Sequence, residues 1–129
     1  MAHILVIDDI PQMAELIQEH LHEMGHSSDI CKNGYDAFFV LKDGQYDLVI
    51  TDIVMPRQDG LEFSRQVREK LTGKTQAIPI LAMSGGAHSI TDDLALMAAK
   101  TYTNAVMKKP FTHEQLQTVV ENLLSAQGT

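Results

Sequence analysis

Two hydrophobic patterns alternate along this chain. Short apolar runs, typical of strands buried on both faces, are separated by longer segments whose apolar residues recur at helical spacing. The second run is more polar than the others, which favours a position at the edge of a sheet. The predicted strands cover residues 4–7, 28–31, 48–50, 78–83 and 105–107.

Helices are predicted after each strand. Pro11 suits the first turn of the first helix, and Gly25 ends it. The last helix has the clearest start, because Thr112 and Gln115 form a capping box and Phe111 stands at the staple position. The other helices are predicted at 35–41, at 61–71 and around 90–97. A strand followed by a helix, repeated five times, predicts an α/β fold with a parallel sheet covered by helices on both faces.

Polar side chains follow four of the five predicted strands. A carboxylate directly after an apolar strand, as at Asp52, is costly unless it is paired or metal-bound. The carboxyl ends of parallel strands meet at one edge of the sheet, where ligands usually bind. The side chains predicted to converge on this edge are Asp8, Asp9, Asp52, Ser84 and Lys109.

The residue types at this edge indicate phosphoryl chemistry. Neighbouring carboxylates require a cation, since like charges raise one another's pKa, and Mg²⁺ prefers such oxygen ligands. Asp52 is then a candidate nucleophile that forms an acyl phosphate. Lys109 and the Ser84 hydroxyl are candidate partners of the phosphoryl oxygens. Each residue alone has a simpler interpretation, as a helix cap, a turn, a loop or a surface lysine. Their shared placement favours the site.

Composition restricts the class of protein. The 129 residues, 44% hydrophobic and 21% charged, suit one folded domain over residues 1–129. The net charge of −7 argues against direct nucleic-acid binding. Cys31 is the only cysteine, which excludes an internal disulfide and suits a reducing compartment. No stretch approaches the length of a membrane span, so we expect a cytoplasmic protein without a membrane partner.

The histidines do not predict a metal site. His20, His22 and His26 are close in sequence, but Gly25 interrupts the helix before the last of them, so solvated histidines are the favoured interpretation. His88 either lines the polar edge or starts the following helix.

Taken together in chain order, these motifs resemble the receiver domain of two-component response regulators over nearly the whole chain. The resemblance implies a flavodoxin-like fold of five parallel strands in the order 2-1-3-4-5. The matching motifs are Asp8-Asp9, Gly25, Asn33-Gly34, Asp52-Ile53-Val54-Met55-Pro56, Asp59-Gly60, Ser84 and Lys109-Pro110-Phe111.

The resemblance also implies roles for these residues. Asp52 would accept a phosphoryl group from a phosphohistidine on a sensor histidine kinase or a histidine phosphotransfer protein. Asp9, Asp52 and the backbone carbonyl of Val54 would bind Mg²⁺, and Asp8 would act through a bound water. Such a domain catalyses its own phosphorylation and dephosphorylation and has no metabolic substrate, so it is a signalling module of two-component systems and phosphorelays.

Lys109 would pair with the phosphoryl group, and Ser84 would supply the switch hydroxyl. The phosphorylated state would reach a downstream protein through the face made by the predicted fourth helix, the fifth strand and the last helix. The family usually has Tyr or Phe three residues before its lysine, where this chain has Val106. Either Tyr102 replaces that ring, or the face responds through the Ser84 loop and the predicted fourth helix alone.

Three alternatives remain open at this point. The chain is either a complete single-domain receiver or a receiver excised from a larger regulator, for example a DNA-binding one. It could also be a receiver-like binding module that takes no phosphate. An FMN protein of similar sheet order is disfavoured, because Asp8-Asp9 would repel a phosphate where a phosphate-binding loop is needed.

Overall fold

A parallel five-stranded sheet organises the chain, with the strands in the order β2-β1-β3-β4-β5. This confirms the predicted sheet and its order. The computed structural model describes residues 1–53, 60–85 and 100–127. The strands are β1 (His3–Ile7), β2 (Ser27–Cys31), β3 (Leu48–Asp52), β4 (Ile80–Ser84) and β5 (Ala105–Lys108).

Four of the five described helices agree in position with predicted ones, and the short α4 was not predicted. Three predicted features lie outside the described residues: the helix around residues 90–97, His88 and Val54. Among the helices that are described, none is both long enough and apolar enough to cross a membrane. The helices are α1 (Pro11–Glu23), α2 (Gly34–Asp43), α3 (Gly60–Lys70), the single turn α4 (Gly73–Gln76) and α5 (His113–Gln127).

Both faces of the sheet are buried, as the continuously apolar strands predict. On one face, Val6 and Ile50 pack with residues of α1 and α5. On the other face, Val49 packs with α2 and α3, and Phe63 of α3 is completely buried there. Successive side chains of a strand point to opposite faces, so the three central strands, β1, β3 and β4, contribute to both clusters.

The sequence predicts that β4 begins at residue 78, two residues before its observed start. Pro79 has no N–H to donate to a neighbouring strand, and it contributes only its carbonyl, which accepts a hydrogen bond from the Val49 N–H at 3.0 Å. The strand therefore begins at Ile80.

The loop predicted before β4 contains the α4 turn. The guanidinium of Arg68 holds this region, because it donates hydrogen bonds to the carbonyls of Gln76, Ile78 and Tyr102 at 2.6, 2.7 and 3.0 Å. Gly73 enters the turn with a φ of 64°, a conformation that favours glycine.

The start of α5 confirms the predicted capping box. The Gln115 N–H donates to the Thr112 hydroxyl at 3.1 Å, and the Thr112 N–H donates to the Gln115 side-chain oxygen at 2.9 Å. Phe111 and Leu116 belong to the same hydrophobic cluster, as a staple requires. The cap fixes the direction in which the chain leaves the polar edge after Lys109.

Candidate functional site

The carboxyl edge of the sheet brings a lysine between two buried aspartates. The Lys109 ammonium lies 3.1 Å from Asp8 Oδ2 and 3.2 Å from Asp52 Oδ2. Asp8 is 2% exposed and Asp52 is 9% exposed. Lys109 is separated from Asp8 by 101 residues and from Asp52 by 57, so only the sheet order brings the three together.

The backbone around Asp52 is held by the end of β3 and the start of α3. The Thr51 hydroxyl donates to the Asp52 carbonyl oxygen at 2.9 Å. The Gly60 N–H donates to the Ile53 carbonyl at 3.0 Å. A side chain at residue 60 would place its Cβ 2.0 Å from the Asp52 carbonyl oxygen, so only glycine allows α3 to approach the strand this closely. The Asp52 carboxylate is thus presented from a fixed backbone.

Burial and charge act on Asp52 in opposite directions. Desolvation by burial raises the pKa of the Asp52 carboxyl above its usual value, and the negative charge of Asp8 adds to this shift. The Lys109 ammonium and the Ile53 N–H lower the pKa of Asp52, but the net shift is upward. A buried carboxylate whose pKa is raised beside specific charged partners marks a candidate functional site.

A third carboxylate completes an oxygen-rich cluster. The ligand oxygens of Asp8, Asp9 and Asp52 all lie within 4.8 Å of one another. Asp8 also accepts a hydrogen bond from the Ile10 N–H at 2.9 Å, which fixes its carboxylate at the start of α1. Three carboxylates lie near one ammonium group, so the described cluster has an excess of negative charge that a cation would offset. Carboxylate oxygens in this number fit Mg²⁺, which binds through one or two carboxylates and keeps water ligands.

Ser84 reaches the same edge as the last residue of β4. It is 7% exposed, and its carbonyl accepts a hydrogen bond from the Lys109 N–H at 2.9 Å. The predicted convergence of Asp8, Asp9, Asp52, Ser84 and Lys109 on one edge is therefore confirmed in position. Their roles remain predictions.

Val106 and Tyr102, the two residues considered for the aromatic position of the family, lie in different surroundings. Val106 packs with Ile53, Ala82 and Leu61 in a small apolar cluster beside the polar edge. Tyr102 is partly exposed, and its carbonyl accepts a hydrogen bond from Arg68. The Val106 side chain is aliphatic, so it brings no polar group to this cluster.

A second group of side chains of the metal-ligand type, which the sequence did not predict, lies between α1 and α5. His20 and Glu23 of α1 lie next to His113 at the start of α5, although His20 and His113 are 93 residues apart. His26 does not join them, since its Nδ1 accepts a hydrogen bond from the Ala2 N–H at 3.0 Å. The spacing of His20 and Glu23 places both on one face of α1, which the sequence alone could have indicated. That His113 lies beside them follows only from the packing of α1 on α5.

The only cysteine has no reactive character. Cys31 is buried at the end of β2, and burial raises the pKa of its thiol to about 11. The thiol is therefore protonated at neutral pH, and a protonated thiol is a poor nucleophile.

Comparison with known proteins gives one consistent result. The model of the response regulator receiver domain matches residues 4–121. The response regulator Rre1 of Synechocystis sp. is 32% identical over 125 residues, which cover 96% of this chain and 52% of that protein. The chain spans about half the length of the curated relatives it matches.

Solved structures agree in fold. TrrA of Thermotoga maritima, crystallised in complex with Mg(2+)-BeF, is 35% identical with a TM-score of 0.79, and the match covers 96% of this chain and 100% of TrrA. The receiver domain of a signal transduction histidine kinase from Syntrophus aciditrophicus is 25% identical with a TM-score of 0.87, covering 98% and 92%. With the sheet order, the acidic cluster and the matched residues in agreement, the chain belongs to the family of response regulator receiver domains.

Proposed function

We propose that this receiver domain accepts a phosphoryl group on Asp52, in the presence of Mg²⁺, from a phosphohistidine of a sensor histidine kinase or a histidine phosphotransfer protein. The observation that carries the proposal is the position of the Lys109 ammonium between the buried carboxylates of Asp8 and Asp52. An ion pair built for stability alone needs one carboxylate, whereas Lys109 contacts two, and a third carboxylate, Asp9, lies close to both of them.

The reaction follows from the residues present. A carboxylate oxygen of Asp52 attacks the phosphorus atom, a P–O bond forms, and the P–N bond to the donor imidazole breaks with its electron pair left on nitrogen. Lys109 stands where it can hydrogen-bond an oxygen of the incoming phosphoryl group, and the Ser84 hydroxyl would donate to another. Phosphoryl transfer depends mainly on such positioning and charge neutralisation. In dephosphorylation, a water molecule attacks the phosphorus atom and the P–O bond to Asp52 breaks, which releases inorganic phosphate and returns the free carboxylate.

The metal would be held by the same edge of the sheet. We assign Asp9, Asp52 and the Val54 carbonyl as direct ligands of Mg²⁺ and Asp8 as a ligand through water. Mg²⁺, when bound, supplies positive charge that neutralises phosphoryl oxygens. The acidic cluster of Asp8, Asp9 and Asp52 and the Mg(2+)-BeF complex of the 35% identical TrrA support this assignment.

The signal would leave through the face that contains β5 and α5. A groove on this face is lined by apolar residues that include Val106, Pro110 and Val119 and by the polar residues Glu114 and Gln115. Lys108 and Pro110, the sequence neighbours of Lys109, both line this groove, so a change in the charge that Lys109 contacts would have to be transmitted over only a few residues. A downstream protein that binds this groove would read the phosphorylation state.

Val106 supports a second candidate function. In place of an aromatic ring that can move, this valine is packed against Ile53 and Ala82. A receiver-like module with this arrangement could bind its partner whether or not Asp52 carries phosphate. Partner affinity measured with and without phosphorylation separates the two functions.

The primary test is a measurement of intact mass after incubation with a small phosphodonor and Mg²⁺. We expect a gain of one phosphoryl group in the wild-type chain. The gain should be absent in Asp52→Asn and in EDTA, and it should persist in Asp43→Asn, which changes a carboxylate away from the edge. A gain that survives in Asp52→Asn would refute the proposed acceptor.

A further inference from the structure

We propose that His20, Glu23 and His113 form a second metal site, which binds a divalent transition metal ion of the Zn²⁺ type and joins α1 to α5. The site shares no residue with the acidic cluster of Asp8, Asp9 and Asp52. Its ligands are mainly imidazole nitrogens, whereas those of the acidic cluster are carboxylate oxygens. The two sites therefore differ in the metals that they select.

The distances between the ligand atoms are close to those that a zinc ion requires. His20 Nδ1 and His113 Nδ1 are 2.7 Å apart, and His113 Nδ1 lies 3.6 Å from Glu23 Oε2. Two ligands about 2.0 Å from a tetrahedral zinc ion are about 3.3 Å apart. The two nitrogens therefore need to separate by about 0.6 Å, and the Glu23 oxygen needs to approach His113 Nδ1 by about 0.3 Å.

The backbone holds these side chains in place from both helices. His20 and Glu23 are three residues apart on α1, so they project from one face of that helix. His113 is the first residue of α5, directly after the Thr112 cap. Leu21 of α1 and Leu116 of α5 belong to one buried cluster, which sets the distance between the two helices. A preorganised set of ligands loses little entropy when it binds an ion.

The contact between the two imidazoles itself favours a cation. An Nδ1–Nδ1 hydrogen bond requires one protonated and one unprotonated nitrogen, so a single proton lies between two lone pairs. A metal ion that replaces this proton satisfies both lone pairs and also meets the carboxylate of Glu23, which is 61% exposed and free to adjust its rotamer. Three protein ligands leave a fourth position for water.

The test is calorimetric titration of the full chain with Zn²⁺ in the presence of excess Mg²⁺, which occupies carboxylate sites. We expect one zinc ion per chain. His20→Gln and His113→Gln should each weaken binding by at least about tenfold. His22→Gln is the matched control, because it makes the same change on the same helix at an exposed residue outside the cluster, and it should bind zinc like the wild type.

Imidazole ¹H–¹⁵N spectra provide a readout that does not depend on affinity. Zinc should shift the ring nitrogens of His20 and His113 together and leave those of His22 unchanged. The backbone spectra of the glutamine variants show whether the fold is kept. Equal zinc affinity in His20→Gln and His22→Gln, or the absence of zinc binding to the wild type, would overturn the site and leave the pair as a hydrogen bond between helices.

Discussion

Replacement of Lys109 by methionine tests how the polar edge is held together. Methionine keeps most of the apolar stem and removes the ammonium group that contacts Asp8 and Asp52. The Lys109 side chain is 10% exposed, so water cannot fully replace the lost cation. The substitution leaves two buried carboxylates facing each other, and we expect it to lower the free energy of unfolding at neutral pH.

The size of the effect follows from the distances. At 3.1 and 3.2 Å and an effective dielectric constant of about 20, each attraction is worth roughly 5 kcal/mol before desolvation. The hydration lost by the buried ions offsets several kcal/mol of this, and loss of one partner of a buried pair typically costs about 3–5 kcal/mol. We expect a loss near the lower end, about 3 kcal/mol, because both aspartates lie at an edge that solvent reaches.

The loss should depend on pH in a defined direction. Lys109 lowers the pKa of Asp52, so its removal raises this pKa further above the usual value. As the pH falls through the raised value, the folded variant takes up a proton that the unfolded chain does not bind, and the repulsion from Asp8 is relieved. The difference between variant and wild type is therefore largest at neutral pH and shrinks in mild acid.

Urea unfolding in metal-free buffer, at neutral and at mildly acid pH, measures both quantities. Lys108→Met is the matched control, because Lys108 is the adjacent residue and is exposed. We expect the control to change the free energy of unfolding by less than about 0.5 kcal/mol. An equal effect of the two substitutions, or a loss at residue 109 that does not shrink in acid, would refute the reasoning.

Three further predictions concern the surroundings of the edge. Gly60→Ala places a Cβ 2.0 Å from the Asp52 carbonyl oxygen, so thermal and urea unfolding should show a loss of about 3 kcal/mol, at the upper end for overpacking. Thr112→Ala removes the side-chain cap of the Gln115 N–H and should cost about 1 kcal/mol in the same assay, whereas Thr112→Ser should cost little. The carboxyl ¹³C shift of Asp52 in metal-free protein should titrate above the usual value of about 3.9, because burial raises its pKa, and Mg²⁺ should lower the midpoint.

Most of the fold could be predicted from the sequence because each strand is short, apolar and ended by a distinct signal. Asp52 marks the end of β3, and Lys109 follows β5, so the parallel arrangement alone brings them to one edge. The capping box at Thr112 fixed the start of α5 to the residue. In these cases the local sequence signals and the rule that parallel strands end at one edge of the sheet predict the same positions.

Other features depend on contacts that no local pattern contains. Leu16 of α1 is large and apolar but 42% exposed, whereas the smaller Ala14 is 1% exposed and belongs to the buried cluster of Val6 and Ile50. The clamp of Arg68 on three carbonyls joins segments up to 34 residues apart. The pairing of His20 with His113 likewise requires the packing of α1 on α5.

The central claim is that Asp52 is the residue that takes the phosphoryl group, and its most direct test locates the modification. After incubation with a small phosphodonor and Mg²⁺, borohydride reduces an aspartyl phosphate to homoserine, which tandem mass spectrometry assigns to one position. We expect homoserine at residue 52, and none at Asp8 or Asp9. Reduction at either of those residues, or none in a chain that has gained phosphate, would contradict it.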